Sequence, residues 1–468
     1  MSPLRLSLGV CLGLALACAA SLAVAQQQPP GGGTVNPFAV AGVYIDADGV
    51  LRTELHADPS GALMQQRRAA ARAALGPKVA GRVPLRKISL VRLERAVAAQ
   101  IAAGRKPTDE MRYLAGLTRV QYLFLYPETG DIVIAGPAEG WVEDLAGRVV
   151  GIETGRPVIL LEDLVVALRA FHPDQEEVGV IGCSIDPTEE GLARMQDFLR
   201  NVGRPSVPGD PVFTQYYVDG LRSAMGMQTV RVIGVSPATH FAQVLVEADY
   251  RMKLIGLGVE RPPVKMTTYV DRLTPAMGRH NALTRWFFVP DYACVRPAPD
   301  GTAMELVGET VKLVGEGELV STAGQRSSAG KTNAASRAFT EAFTKKYPEI
   351  AKRAAVYAQL RNLIDLAVVS AFMLHNDYYD KASWKMDFFR SEERFAVETY
   401  PVPTQVETVV TSMWKGGYLT APMGGGVHID AEEALADANL LRDNVEQVLH
   451  ARKSIGIDAL PPDQWWWD

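Results

Sequence analysis

Residues 229–255 read Thr-Val-Arg-Val-Ile-Gly-Val-Ser-Pro-Ala-Thr-His-Phe-Ala-Gln-Val-Leu-Val-Glu-Ala-Asp-Tyr-Arg-Met-Lys-Leu-Ile. The β-branched run Thr229 to Val235 has the composition of a strand. Ser236-Pro237 then follows the grammar of a helix start, a hydroxyl cap before a proline at the first helical position. Phe241, Val244, Leu245, Ala248 and Met252 keep helical spacing and predict one apolar face. Glu247/Arg251 and Asp249/Lys253 fall four apart, acid first, which reads as ion pairing on a solvated face. A strand feeding a helix is the unit of a layered α/β structure.

The same alternation extends outward. Upstream lie a helix near Leu161 to Phe171, a strand from Val178 to Ser184, a helix opened by Asp186-Pro187 with Glu189 completing a capping box, and a helix from about Val212 to Ala224. This predicts crossover helices over a sheet. Nearer the start, Asp48-Gly49 marks a hairpin, Gly61 to Leu75 and Leu90 to Ala103 read as helices, and Pro127 to Gly130 turns a second hairpin. Downstream, Thr284 to Val320 reads as a β meander. Asn333 to Leu374 is helical with a break near Tyr347-Pro348, short strands lie near Thr404 to Trp414 and Val427 to Ile429, and Asp430 caps a final helix to about Lys453. The expected class is α+β or mixed α/β. Its regions are 38–145 (α+β), 146–265 (α/β), 266–330 (meander) and 331–468 (mostly helical with short strands).

The N-terminus carries a different signal. Arg5, the apolar run Leu6 to Ala20 and the small-residue pattern Ala23-Val24-Ala25 form a secretory signal peptide over 1–25, followed by a disordered Gln/Pro/Gly linker over 26–37. Cys18 leaves lipidation open as a rival to plain cleavage. The expected location is therefore exported, periplasmic or envelope-associated. Without the signal, no segment is long and apolar enough to span a bilayer, because Leu363 to Leu374 is short and contains Asp365.

The 468 residues are 47% hydrophobic and 22% charged, ordinary for a globular chain with a large core. A net charge of -5 and no basic cluster with interleaved aromatics argue against nucleic acid. Of four cysteines only Cys183 and Cys294 lie beyond the signal. An oxidising compartment permits one disulfide between them, and two buried thiols are the alternative. A thiolate at Cys183 would require activation by the following helix start.

Each motif meets a chemical test. Gly330-Lys331-Thr332 ends like a phosphate loop, but five residues separate Gly324 from Gly330 where the motif needs four. Gly234-Val-Ser-Pro-Ala238 resembles a nucleophile elbow, yet Pro237 has no N–H to give an oxyanion. Asp46-Ala47-Asp48 starts like a calcium loop, with Val50 where an oxygen ligand belongs. The seven histidines show no metal-ligand spacing, so no metal or cofactor is implied. An enzyme site, if present, would be assembled from distant residues near His240, Asp249 and Arg251. The Trp465-Trp466-Trp467 tail is a candidate contact for the protein's own core, a partner or the envelope.

Several blocks carry a resemblance: Leu114 to Tyr122 running into Tyr126 to Asp131, Ala135 to Trp141, Val244 to Ile255, Trp286 to Asp291, and Leu360 to Leu366. Together they resemble a family of exported planctomycete proteins carrying a domain of unknown function. The likeness spans about Tyr113 to Leu374. It implies a bacterial periplasmic or envelope location and no particular chemistry. The leading reading is a non-catalytic binding or scaffolding protein with an unknown envelope or protein partner; the alternative is a periplasmic hydrolase.

Overall fold

Turn chemistry places the first elements. Asp46 Oδ1 accepts the N–H groups of Asp48 and Val50, and Gly49 takes a positive φ, so β1 (Ala39–Ile45) folds back on β2 (Val50–Ala57). This uses the acidic pair as a turn, not as a calcium loop. The structure is a computed structural model that describes residues 39–468 except 175–178, 204–205, 208, 275–281, 321–324, 329, 331, 415–417, 421–422, 458–459 and 462. The signal peptide, the linker and much of the phosphate-loop look-alike lie outside the described residues.

Next come α1 (Ala62–Ala74), α2 (Pro77–Ala80), β3 (Val83–Ser89), α3 (Leu90–Ala102) and α4 (Asp109–Arg112). The hairpin β4 (Tyr122–Tyr126) and β5 (Asp131–Ala138) precedes β6 (Trp141–Glu143), β7 (Val149–Gly151) and α5 (Leu161–Ala170). The central block runs β8 (Ile181–Pro187), α6 (Glu189–Asn201), α7 (Pro211–Met225), β9 (Met227–Ile233), α8 (His240–Gly256) and α9 (Tyr269–Arg272). Five strands follow: β10 (Ala282–Pro290), β11 (Val295–Pro297), β12 (Ala303–Leu306), β13 (Val311–Val320) and β14 (Arg326–Ser328). The chain closes with α10 (Ala334–Arg353), α11 (Ala355–His375), α12 (Tyr378–Lys381), β15 (Gln405–Glu407), β16 (Ser412–Trp414), β17 (Tyr418–Thr420), β18 (Met423–Ile429), α13 (Gln447–Lys453) and β19 (Trp466–Trp467).

The α+β class holds, with two large sheets. One has nine strands in the order β1-β2-β15-β9-β8-β18-β10-β13-β14. Only β2/β15 and β10/β18 pair in parallel there. The other has six strands, β11-β12-β4-β5-β3-β19, all antiparallel. The expected parallel crossovers are corrected by this topology: α6 and α7 join β8 to β9, which pair antiparallel. The expected meander is also divided, because β10 and β13 join the nine-stranded sheet while β11 and β12 join the six-stranded one.

The hydrophobic core passes between the sheets. On β4, Leu123 and Leu125 point to the main core, and Phe124 and Tyr126 to a second cluster with Val448 and Trp467, the period-two pattern of a strand buried on both faces. Helices α8, α5 and α11 fill the main core, and α8 packs on β8 and β18. Several helix ends differ from the sequence reading. Thr188, not Asp186, caps α6, and Thr239, not Ser236, caps α8. The helix break falls at Ala354, and Pro348 sits inside α10. After Asp430, a short 3-10 turn and an irregular stretch with turns precede α13 in place of one long helix. No helix among the described residues is long and apolar enough to cross a membrane.

Candidate functional site

Helix α8 is buried on nearly every side, and that overturns the reading of its charges as a solvated face. From Phe241 to Gly256 only Gln243 is not buried. Lys253 is 3% exposed and Asp249 fully enclosed. The Lys253 ammonium donates to Asp249 Oδ2 (2.8 Å), to the Ile185 carbonyl (2.9 Å) and to the Gly425 carbonyl (3.2 Å). All three of its hydrogens are used, which is how a buried lysine is tolerated. The bonds tie α8 to β8 and β18. Gly425 allows the close approach: its φ is +119, and a Cβ there would lie 1.9 Å from the Trp286 carbonyl oxygen. Among the described residues Asp249 Oδ1 has no hydrogen-bond partner, and burial, opposed by Lys253, pushes its carboxyl up to about 6. Beside it, Asp186 accepts two bonds from Arg285 and one from the Gly425 N–H.

A second polar chain leaves the other side of α8. Arg251 makes a forked pair with Glu260 and a 3.2 Å bond to Glu247. Glu247 also accepts from Arg148, whose Nε donates to Gln359 Oε1 (3.1 Å). The Gln359 amide nitrogen therefore faces His240 Nε2 (3.3 Å), while His240 Nδ1 lies 2.9 Å from Asp163 Oδ2. For the neutral form of the ring that chain assigns the tautomer: Nδ1–H to Asp163, and a lone pair on Nε2 for Gln359. Burial opposes a charge on His240, but Asp163 outweighs it and raises the pKa. Next to Asp163, Glu162 accepts from the Tyr400 hydroxyl at 2.7 Å. Burial first, then the Asp163 charge, pushes Glu162 up to about 7, against the pull of that hydroxyl.

Of the sequence candidates, His240 and Arg251 thus share one network through Arg148 and Glu247, whereas Asp249 belongs to the separate lysine clamp. Sequence reasoning missed Asp163, Glu162, Arg148, Gln359, Glu260 and Tyr400, which come from five distant segments. The only local trace was the adjacent acidic pair in the first turn of α5.

One turn along α5 from Glu162, a half-open cleft of about 600 Å³ is lined by Val166, Ala170, Val235, Ala238 and Val397, by Ser236, Thr239, Thr399 and Glu392, and by the glycines 179 and 234; the Thr239 hydroxyl is spent on the Ala242 N–H and the Ser236 carbonyl. Arg169 at its wall is bound to Glu392 and three carbonyls. The cleft thus offers an apolar floor, neutral hydrogen-bonding groups and a neutralised cation. Ser236 is exposed, and its hydroxyl accepts from the Ala238 N–H at 3.4 Å, not from a base. The elbow geometry has no acid–base partner on its serine.

The remaining candidates resolve structurally. Cys183 and Cys294 are buried free thiols, so the disulfide is not made. Burial pushes the Cys183 thiol well up, the reverse of an activated thiolate. Trp465 and Trp467 are buried, Trp466 and Trp467 pair with β3, and Trp467 Nε1 donates to the Ile455 carbonyl. The tail docks on the protein's own fold, so it is not a free partner contact. Among the described residues no three His, Cys, Asp or Glu side chains gather as a metal site.

Residues 183–269 match a family model. Its description is a protein of unknown function, DUF1598. This DUF1598 segment begins in β8, contains all of α8 and ends at the start of α9, so it includes Ser236, His240, Asp249, Arg251 and Lys253. No curated protein and no solved structure matches the chain.

Proposed function

We propose that the protein is exported to the periplasm or cell envelope and acts there as a non-catalytic binding protein. Its ligand would be a small uncharged molecule with hydroxyl or amide groups, held in the cleft between α5 and the turn after β9. The observation that carries this reading is the cleft itself. Its apolar floor, hydroxyls and exposed backbone suit an uncharged ligand. The hydrolase alternative loses support at His240. Both ring nitrogens are engaged, by Asp163 and Gln359, and among the described residues no hydroxyl or thiol is bonded to the ring. Asp249 and Arg251 are enclosed in the core and cannot meet a substrate without unfolding. A scaffolding role through the tryptophan tail also loses support, because two of its three indoles are buried. Support for export comes from the sequence of residues 1–25 and from the resemblance to exported planctomycete proteins.

The test is native mass spectrometry of protein isolated from the periplasmic fraction, with N-terminal sequencing. A start near Gln26 and a co-purifying small molecule, lost in the cleft-filling variant Ala170→Trp, are expected. An intact Met1 in the cytosol would overturn the location. Turnover of p-nitrophenyl acetate abolished by His240→Ala would replace the binder with the hydrolase.

A further inference from the structure

One wall of the cleft is irregular chain, Phe395-Ala-Val-Glu-Thr-Tyr-Pro-Val-Pro-Thr404, which contributes Val397 and Thr399 to the lining. Its near end is fixed. Phe395 is buried against Phe388 and Phe389, with ring centroids 5.9 and 5.3 Å away. Arg169 of α5 donates to the carbonyls of Phe389 (2.7 Å) and Phe395 (2.5 Å). The far end is fixed at Tyr400. Its N–H donates to the Ala238 carbonyl (2.8 Å), its hydroxyl donates to Glu162 Oε1 (2.7 Å), and its ring lies 5.9 Å from that of His240. This end is thus tied to the turn after β9 and to the first turn of α5. Beyond it, Pro401 and Pro403 hold their own φ angles and stiffen the chain, and Gln243 Nε2 donates to the Pro401 carbonyl at 3.1 Å.

Between the two ends the chain is held by little. Among the described residues, the only main-chain hydrogen bond made by 396–399 runs from the Val397 N–H to Glu392 Oε1, at 3.3 Å. Ala396, Glu398 and Thr399 are exposed. The Glu398 carboxylate lies 3.8 Å from Arg112, an exposed pair that contributes little. Solvated main chain with few bonds lies at the low end of local stability. Of the contacts at the far end, the hydroxyl–carboxylate bond is charge-assisted when Glu162 is ionised, and so is the strongest of its kind there. It is also made by one side-chain atom, so it can break without disturbing α5 or α8.

We propose that residues 396–399 form a movable wall of the cleft, and that the Tyr400 hydroxyl on Glu162 is the latch that holds it closed. Tyr400 does not line the cleft, so it is a positioning residue, setting access through the strap. This rests on the reading of the cleft as a ligand site and adds the regulation of that site.

Access can be measured without the ligand. Val166→Cys places a thiol on the buried α5 side of the cleft, and its alkylation by iodoacetamide in the full chain reports how often the wall opens. The buried native thiols of Cys183 and Cys294 report global unfolding in the same sample. Adding Tyr400→Phe, which keeps the ring and the N–H, should speed labelling at position 166 about tenfold or more, the worth of one hydrogen bond to a charged group, while the native thiols stay unlabelled. Glu162→Ala should act the same way. Glu162→Gln keeps an acceptor for the hydroxyl and should label near the parent rate. The proposal fails if Tyr400→Phe leaves the rate at position 166 unchanged, if the native thiols react in step with it, or if Glu162→Gln labels as fast as Glu162→Ala. Faster labelling in a protein that co-purifies no small molecule would sink the binder and leave the latch. A bound molecule with unchanged labelling would sink the latch and leave the binder.

Discussion

Lys253 shows what a single residue on α8 decides. Its ammonium is enclosed and fully bonded, and Asp249 depends on it for neutralisation. Lys253→Met should therefore cost about 3–5 kcal/mol, because it strands a buried carboxylate. Asp249→Asn in the same chain should recover part of the loss, and urea midpoints of the two single variants and the double measure both effects. Acidity gives a second test. The Glu162 carboxyl, pushed up to about 7, is raised above its ordinary 4.5. Between those values the folded state binds more protons than the unfolded one, so stability falls as pH rises through that window. Asp249, up to about 6, adds the same sign from about pH 4 to 6. The raised pKa of His240 contributes stability below its unfolded value, about 6.5, that is lost as pH climbs through the folded one. The melting temperature should rise between pH 7.5 and pH 5.5, and Glu162→Gln should flatten that slope. The burial of these charges was not legible at the residue scale. Spacing four apart places Glu247/Arg251 and Asp249/Lys253 as pairs, correctly, but an ion pair has the same spacing in water and in a core. What separates the two is the Gly424-Gly425-Gly426 backbone, which lets β18 approach, and the partners of that backbone lie far away in sequence.

At the scale of elements, local signals placed most helices and hairpins. Asp48-Gly49 turned the first hairpin, and Pro127 to Gly130 the second, because a turn is closed by its own residues. Pairing between strands distant in sequence was not legible. Nothing near Trp466 indicates that it faces Ile88 across a ladder, or that Arg86, fully buried, takes both carboxylate oxygens of Asp468 and stacks 4.6 Å over the Trp466 ring. The cap of α8 failed for a related reason: two hydroxyls, Ser236 and Thr239, compete for the role. Thr239 wins because Ser236 through Thr239 close a turn of their own. Strand β19 supplies the test at this scale. Deleting residues 465–468 removes two buried indoles and leaves Arg86 enclosed without its counter-ion. A loss of about 3 kcal/mol or more follows from the stranded charge alone, read as a lower urea midpoint. Replacing Asp468 by Asn should give a smaller loss of the same sign, since the ladder and the indoles remain.

The whole molecule is set by interleaving. The nine-stranded sheet takes strands from the first hairpin, the central block, β10, β13 and β14, and the late strands β15 and β18. The six-stranded sheet takes β3 to β5, β11 and β12, and the last strand. One hydrophobic core touches both sheets through α5, α8 and α11. No cut between Ser89, at the end of β3, and Met423, at the start of β18, leaves either large sheet complete on one side. Unfolding part of the described structure would therefore expose core on the remainder, and cooperativity is the consequence. Urea unfolding followed by tryptophan fluorescence, which samples Trp286 in one sheet and Trp467 in the other, should coincide with far-UV circular dichroism in one transition. Cys183 lies in the nine-stranded sheet and Cys294 just before β11 of the six-stranded one, and both are buried. Their reaction with a thiol reagent should become fast at that same midpoint, both thiols together. Two separated transitions, with one thiol released before the other, would mean that the sheets hold themselves up independently and that the shared helical layer contributes little to either.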